Sequence, residues 1–462
     1  MKKLTLRHLL AAGTVGALTT LTACSGLTPS SDGGAAAELD PDAEVSITVG
    51  DYPTADKPEE RAAFDAQLDA FREANPNITI EPSTEVWDAQ TFQAKLAGGT
   101  LPTVMGVSLT YSHELIADGQ LPDMTPYLEE LGLIDDLNPL ALANVQDEEG
   151  RIYTIPTGLF SVGLAYNRDI FEQAGLDPDS PPTTWEEVRE AARTISEEVP
   201  DVAGYAQMTT NNTGGWMLTT MTYSMGGRIQ DDAGTEAVMG DETTQALQLL
   251  HDMRWEDDSM GDQFLYDQDA ARQAFAADDI GILLQAPDIY KPIVQDYEFD
   301  PADLGVTELP QANGVNGTLT GGTLKLFDVQ ATPNQLLAAA KWIQFYEFDK
   351  YYDEDIAIDR AEADAAAGNP VGIPGLPPVS PEVDEQYIGW IDPLIDVPRD
   401  QFQGYIDSEL ELIGEPPTST QETYAALDPV VQKILTDENA DIEQEIADAN
   451  DVIDGIIAQA AR

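Results

Sequence analysis

Cysteine, histidine and positive charge are all scarce in this chain of 462 residues. The single cysteine, Cys24, excludes an intrachain disulfide and leaves no thiol nucleophile in the body of the chain. Of three histidines, His8 lies in the amino-terminal leader, and His113 and His251 are far apart in sequence. Both read as capping or solvent-facing residues and not as metal ligands. No G-x-S-x-G elbow, phosphate loop or H-E-x-x-H pair occurs, so the common signatures of hydrolases and nucleotide binding are missing. Only 22 Lys and Arg stand against 84 Asp and Glu, a net charge of −62. Such a chain repels nucleic acid and anionic membranes. Beyond the leader no apolar run approaches the roughly 18 residues that a membrane helix needs.

The leader itself is informative. Lys2, Lys3 and Arg7 precede an apolar run from Leu9 to Leu21 that is too short to span a bilayer and suits a secretory signal. Leu21, Thr22, Ala23 and Cys24 resemble a bacterial lipobox, which implies cleavage before Cys24 and lipid modification of its thiol. Residues 1–24 are therefore read as a lipoprotein signal peptide and 25–43 as a flexible tether. After cleavage 84 acids face 19 bases, leaving 65 uncompensated negative charges. They are spread along the chain, which points to a solvation adaptation to salty or alkaline surroundings, where counterions screen the self-repulsion.

What remains is ordinary globular material, 42% hydrophobic with six Trp and sixteen Tyr. Val45–Val49, Ile78–Ile80 and Val104–Val107 read as strands, with helices over Glu59–Ala74 and from Trp87 to Leu96 between them. This β-α-β-α-β order predicts a doubly wound lobe. The densest signals lie between Gly150 and Ile195. There Ile152–Ile155 reads as a strand stopped by Pro156, Val162–Tyr166 as a buried strand, and Thr184 with Glu187 as a capping box. Later, Thr243–Trp255, Asn334–Phe348, Gln421–Leu435 and Asp441–Ala460 carry helical periodicity, and Ile280–Leu284 reads as a strand. Asp231, Asp232 and Gly234 superficially suggest a calcium loop, but without spaced ligands and a terminal Glu a turn is the better reading.

The order GRIYTIP, YNRDIFEQAG and PPTTWEE resembles the extracellular solute-binding proteins of sugar ABC importers, the maltose-binding type. FREANPNITI, AKLAGGTLPTV and ADGQLPDMTPYLEE fit the same family, with Thr103 where it usually carries Asp. The resemblance implies an α/β, two-lobe periplasmic-binding-protein-like fold, its doubly wound lobes joined by hinge crossovers. Lobe I would comprise residues 44–157 and 303–352, and lobe II residues 158–302 and 353–462. Leu304–Pro310 would return the chain to lobe I.

A sugar presents flat C–H faces and a rim of hydroxyls, so its cleft needs aromatic platforms and polar partners. Matching the family position by position places Asp51 and Tyr52 after the first strand and Thr110 and Tyr111 after the third. Phe160 follows the first crossing, Trp216 lies in the second lobe, and Asp288 and Tyr290 follow the Gln285 loop. Gly321 and Gly322 would let the backbone approach the ligand closely. Asp288 stands where several members stack a Trp. Trp216, in a polar and flexible setting, reads as a ligand platform; Tyr166, Trp185 and Trp342 read as core. No metal, cofactor or covalent chemistry is expected.

The implied function is capture of a carbohydrate, foremost an oligosaccharide, between the lobes. The protein would be lipid-anchored through Cys24 at the extracellular face of the cytoplasmic membrane and deliver its ligand to the transmembrane permease of an ABC importer. A receptor for a non-sugar solute, such as a polyol phosphate or a peptide, stays open. In second place stands a surface glycan hydrolase or adhesion protein.

Overall fold

The computed structural model describes residues 40, 42–88, 91–142, 145–147 and 149–460. Cys24, the signal peptide and nearly all of the expected tether lie outside the described residues, as does the side chain of His113.

Two sheets organise the described chain. Strands β1 (Val45–Val49), β2 (Ile78–Pro82), β3 (Val104–Ser108) and β4 (Ile155–Ser161) build the first. The second follows with β5 (Gly163–Asn167), β6 (Ala203–Ala206), β7 (Ile280–Gln285) and β8 (Leu304–Thr307). The chain then returns to the first with β9 (Thr318–Phe327) and, much later, β10 (Leu412–Ile413). The orders are β10-β9-β3-β1-β2, with β4 also on β9, and β6-β7-β5-β8. Parallel pairing of β1 with β2 and β3 requires the helical crossovers that the sequence supplies. β5 and β7 are buried along their whole length, as strands covered on both faces must be.

The helices close over these sheets through the faces that their periodicity marks. Over the first sheet, the fully buried Trp342 packs among Phe64, Phe71, Phe345 and Tyr346. Over the second, Trp185–Glu198 buries Val188, Ala191, Ala192 and Ile195. Its expected capping box forms: the Thr184 hydroxyl accepts the Glu187 N–H, and the Glu187 carboxylate accepts the Thr184 N–H at 3.0 Å. Thr103, in place of the family's Asp, tethers its turn by two bonds. Its N–H donates to the Thr48 hydroxyl at 2.8 Å, and its own hydroxyl accepts the Thr48 N–H at 3.1 Å.

Several expectations change. Pro156 does not stop a strand; it is the second residue of β4, and the register slips between Pro156 and Gly158, where proline lacks a ladder donor. Leu304–Thr307 is not yet the return crossing, because it pairs with β5 in the second sheet. We therefore place the lobe edges at Val162, the one residue between β4 and β5, and between Thr307 and Thr318. Residues 353–462 also do not all side with lobe II. Asn138 N–H donates to the Pro378 carbonyl, Ser380 N–H donates to that of Asp136, and Leu376 bridges to Leu159, all in the first lobe. The chain first touches the second lobe at Gly368, whose carbonyl accepts from Gln295 at 2.6 Å, and does so again near Arg399–Phe402, where Gln401 donates to the Ala302 carbonyl at 2.9 Å. Asp231 fastens a turn: its carboxylate accepts the Thr235 and Glu236 N–H groups at 2.5 and 3.1 Å.

Candidate functional site

A cleft of ≈590 Å³ opens between the two sheets, where β3 and β7 end in loops. Five expected residues line it: Asp51, Phe160, Trp216, Asp288 and Gly322. Phe160, from β4, and Trp216, from the second lobe, meet edge-to-face across it, with ring centroids 5.9 Å apart and planes at 83°.

The first-lobe wall is held by charge. Asp51 sits just beyond β1 with φ +63°, a left-handed conformation that Asp tolerates better than most residues. Its carboxylate accepts the Gly106 N–H at 2.7 Å and the Lys325 ammonium at 3.2 Å. Lys325 reaches from β9 and pairs also with Glu347 at 3.2 Å. Burial alone would push the Lys325 pKa down, but Glu347 and Asp51 outweigh it and raise the pKa above the ordinary lysine value. Lys325 is thus charged and fully neutralised.

The second-lobe wall is held by a helix end. Thr213–Ser224 begins at the cleft, and Asp428, from the helix Thr420–Thr436, accepts the N–H groups of Asn212 and Gly215 at 2.8 and 2.9 Å. Gly215 is there for close approach, since a Cβ on it would lie 2.3 Å from the Tyr424 carbonyl oxygen. The stretch around Trp216 is therefore tightly packed and not flexible, and Trp216 is half-buried against the second-lobe core. Its indole N–H and that of Trp87, also a cleft residue, have no hydrogen-bond partner among the described residues. Asp288 extends into the cleft while accepting from Arg272 at 2.7 Å; Arg272 donates also to Gln285 at 2.9 Å.

A third contribution comes from the last crossover. Glu415, Gln421 and Tyr424 follow β10 and line the cleft beside Phe160. Gln421 accepts from the Asn212 amide at 3.0 Å and approaches the Thr110 hydroxyl of the first lobe at 3.5 Å. The Tyr424 hydroxyl donates to Glu415 at 3.2 Å. Desolvation pushes the Glu415 pKa up to about 8, against the opposing pull of that hydrogen bond. At neutral pH this carboxyl is largely protonated and can donate.

The other five expected residues are not brought to the cleft lining. Tyr52 turns to the first-lobe surface, donating to Asp65 at 2.9 Å under the Arg61 guanidinium. Tyr111 is buried against Phe92, centroids 4.6 Å apart. Tyr290 is buried against Phe402. Thr110 stands behind Gln421. The glycine pair serves strand packing: a Cβ on Gly322 would meet the Gly158 carbonyl at 2.3 Å, and one on Gly321 the Phe160 ring at 2.9 Å. Among the other tryptophans, Trp255 donates to the Ile434 carbonyl at 2.9 Å and Trp390 packs against a small cluster around Ala361. His251 contacts the Glu438 carbonyl at 2.9 Å, far from the cleft in role and sequence. Among the described residues no group of three or more His, Cys, Asp or Glu side chains could hold a metal ion, and no helix is long and apolar enough to cross a membrane.

Residues 54–352 match the family described as bacterial extracellular solute-binding protein. The chain belongs to that family. Among curated relatives, the sn-glycerol-3-phosphate-binding periplasmic protein UgpB of Brucella melitensis is 23% identical over 315 residues, 66% of this chain and 64% of the relative. The chain thus spans under two thirds of the length of the curated relatives it matches. Among solved structures, an ABC transporter solute-binding protein of Thermotoga lettingae bound with α-D-tagatose superposes with a TM-score of 0.69 at 19% identity, covering 89% of this chain and 99% of that one. UgpB of Mycobacterium tuberculosis in complex with glycerophosphocholine gives 0.70 at 17%, covering 90% and 100%. These neighbours share the two-lobe fold.

Proposed function

We propose that the chain captures a neutral carbohydrate, foremost an oligosaccharide, in the interlobe cleft and delivers it to the permease of an ABC importer without covalent chemistry. The observation that carries this reading is the pairing of apolar ring faces with uncharged or self-neutralised polar groups. Trp87, Phe160 and Trp216 offer surface for sugar C–H faces, and Asn211, Gln268 and Gln421 stand beside them for hydroxyls. A volume of ≈590 Å³ falls within the range of small-molecule sites. Closure of the lobes about Val162 and the two later crossovers would bury the ligand.

The relatives named for glycerol phosphate and glycerophosphocholine favour a second reading, a phosphate-bearing ligand. It requires a cation free to meet the phosphate. Among the described lining residues the one cation, Lys325, already pairs with two carboxylates, and nearby Arg272 with Asp288. The carbohydrate reading is the better supported. Titrating the protein with a panel of neutral mono- and oligosaccharides, scoring both binding and product, tests it: binding without turnover is expected, and turnover would make the protein a hydrolase.

The membrane anchor is part of the same proposal. Cys24→Ser should release the protein to the medium or leave an uncleaved precursor, while a chain starting near Asp40 should bind ligand normally. One acyl chain gives only marginal attachment, so more than one is expected on Cys24. Processed protein retained on the membrane by the Cys24→Ser variant would refute the anchor.

A further inference from the structure

Phe160 and Ser161 are successive residues of β4 and point to opposite faces of the first sheet. Phe160 faces the ligand cleft. Ser161 faces a second cavity, of ≈470 Å³, that no part of the proposed function uses. Its walls come from Ser161, at the first crossover, from the Gly372–Pro377 loop on the first lobe, and from Tyr405 to Leu412 in the last crossover. Tyr405 fastens the first of these to the last, its hydroxyl lying 2.9 Å from that of Ser161.

Two cations converge on this cavity with no carboxylate of the described residues within 4.0 Å. The Lys350 ammonium lies 5.1 and 5.8 Å from the ring centroids of Tyr351 and Tyr387 and, among the described residues, makes no hydrogen bond or ion pair. Arg399 gives one N–H to the Gly372 carbonyl at 2.9 Å and keeps its other donors. In a chain where 84 acids outnumber 22 bases, cations left unpaired on one cavity are conspicuous. The cavity has one carboxyl, Asp384, whose pKa is raised by burial against the opposing pull of Arg399 and Lys350. Burial likewise pushes the Lys350 pKa down, so a bound anion would stabilise its charged form.

We propose that the cavity behind the hinge binds a small oxyanion, a carboxylate or phosphate group, held by Lys350 and Arg399 with the Tyr351 and Tyr387 hydroxyls as further donors. The ligand would touch the first and the last crossovers at once, with the Gly372–Pro377 loop between them.

The probes are inorganic phosphate and acetate, titrated into the full chain by calorimetry and by thermal unfolding, each against NaCl at equal ionic strength. The control matters because any salt should stabilise so acidic a protein. At least one probe should raise the melting midpoint beyond NaCl, and which one does so identifies the oxyanion. Lys350→Gln should weaken that binding roughly 10-fold or more, the worth of a charge-assisted hydrogen bond, and leave cleft-ligand affinity unchanged. Should the variant fold poorly, hydrogen exchange on the unaltered protein gives the second reading: the probe should protect the Gly372–Pro377 loop and Tyr405–Leu412. Stabilisation equal to NaCl for both probes, an unchanged Lys350→Gln titration, or no local protection would overturn the proposal.

Discussion

On the first-lobe wall of the cleft, Asp51, Lys325 and Glu347 form a continuous run of alternating charges anchored to the Gly106 N–H. On the second-lobe wall, Trp216 stands on a helix end whose one charged support, Asp428, is turned inward to the Asn212 and Gly215 N–H groups. The first wall has spent its charges on itself. It fixes directions for hydrogen bonds and offers a phosphate nothing to pair with. The second wall turns Asp428 inward, keeps Asp288 paired with Arg272, and offers area. Binding energy should therefore reside in the second wall and the integrity of the cleft in the first.

The largest effect should come from breaking the first wall. Lys325→Met leaves the part-exposed Asp51 and Glu347 without their shared cation, a loss of up to about 3–5 kcal/mol, the cost for a fully buried pair deprived of one partner. Denaturant unfolding measures it, and a loss under about 1 kcal/mol would show that the wall does not depend on the charge run.

Trp216→Ala comes next. An indole stacked on a sugar buries ~100 Å² of apolar surface, worth roughly 2–3 kcal/mol, so affinity should fall roughly 30- to 100-fold. Because Trp216 is half-buried against the core, unliganded stability should also fall, by about 1–3 kcal/mol, less than for a fully buried Trp. Intact affinity with that stability loss would make Trp216 a packing residue alone.

A smaller effect belongs to Glu415. Its carboxyl is pushed from 4.5 up to about 8 in the folded chain. Between those values the folded state holds a proton that the unfolded state has released, so stability contributed at this site falls as pH rises from 4.5 towards 8 and levels above it. Glu415→Gln should flatten that part of the stability–pH curve. An unchanged slope would place the titration elsewhere. The smallest and most diffuse effect is that of salt: 65 uncompensated charges should make the melting temperature climb from low to molar NaCl, and a flat or falling curve would contradict an adaptation to salt.

The two walls also differ in how far the sequence discloses them. Asp51 and Asp288 were legible because they follow strand ends, where the fold puts ligands. Trp216 was legible from the family's pattern, although Gly214 and Gly215 beside it signalled flexibility and turned out to mark close contact with Asp428 and Tyr424 of the facing helix. Tyr111 and Tyr290 carry the same loop signal as true cleft residues, but one short helical turn directs each ring into its lobe's core instead. Lys325 was hidden because its partners lie 274 residues away at Asp51 and on an irregular turn at Glu347. Glu415, Gln421 and Tyr424 gave no local signal at all; they belong to the cleft only because β10 pairs with the start of β9. The strands and helices follow from periodicity and caps, whereas a site assembled from three crossovers is fixed by tertiary pairing.

The central claim, that the cleft is built for a neutral carbohydrate, is tested most directly by one competition titration. The chain without its leader is titrated by calorimetry with a series of neutral oligosaccharides and with sn-glycerol 3-phosphate under the same buffer and salt. Saturable binding of at least one neutral sugar is expected, lost in Trp216→Ala, with no displacement by sn-glycerol 3-phosphate. Tight binding of sn-glycerol 3-phosphate with no response to any neutral sugar would contradict it, because Lys325 would then have to leave Asp51 and Glu347 to meet the phosphate.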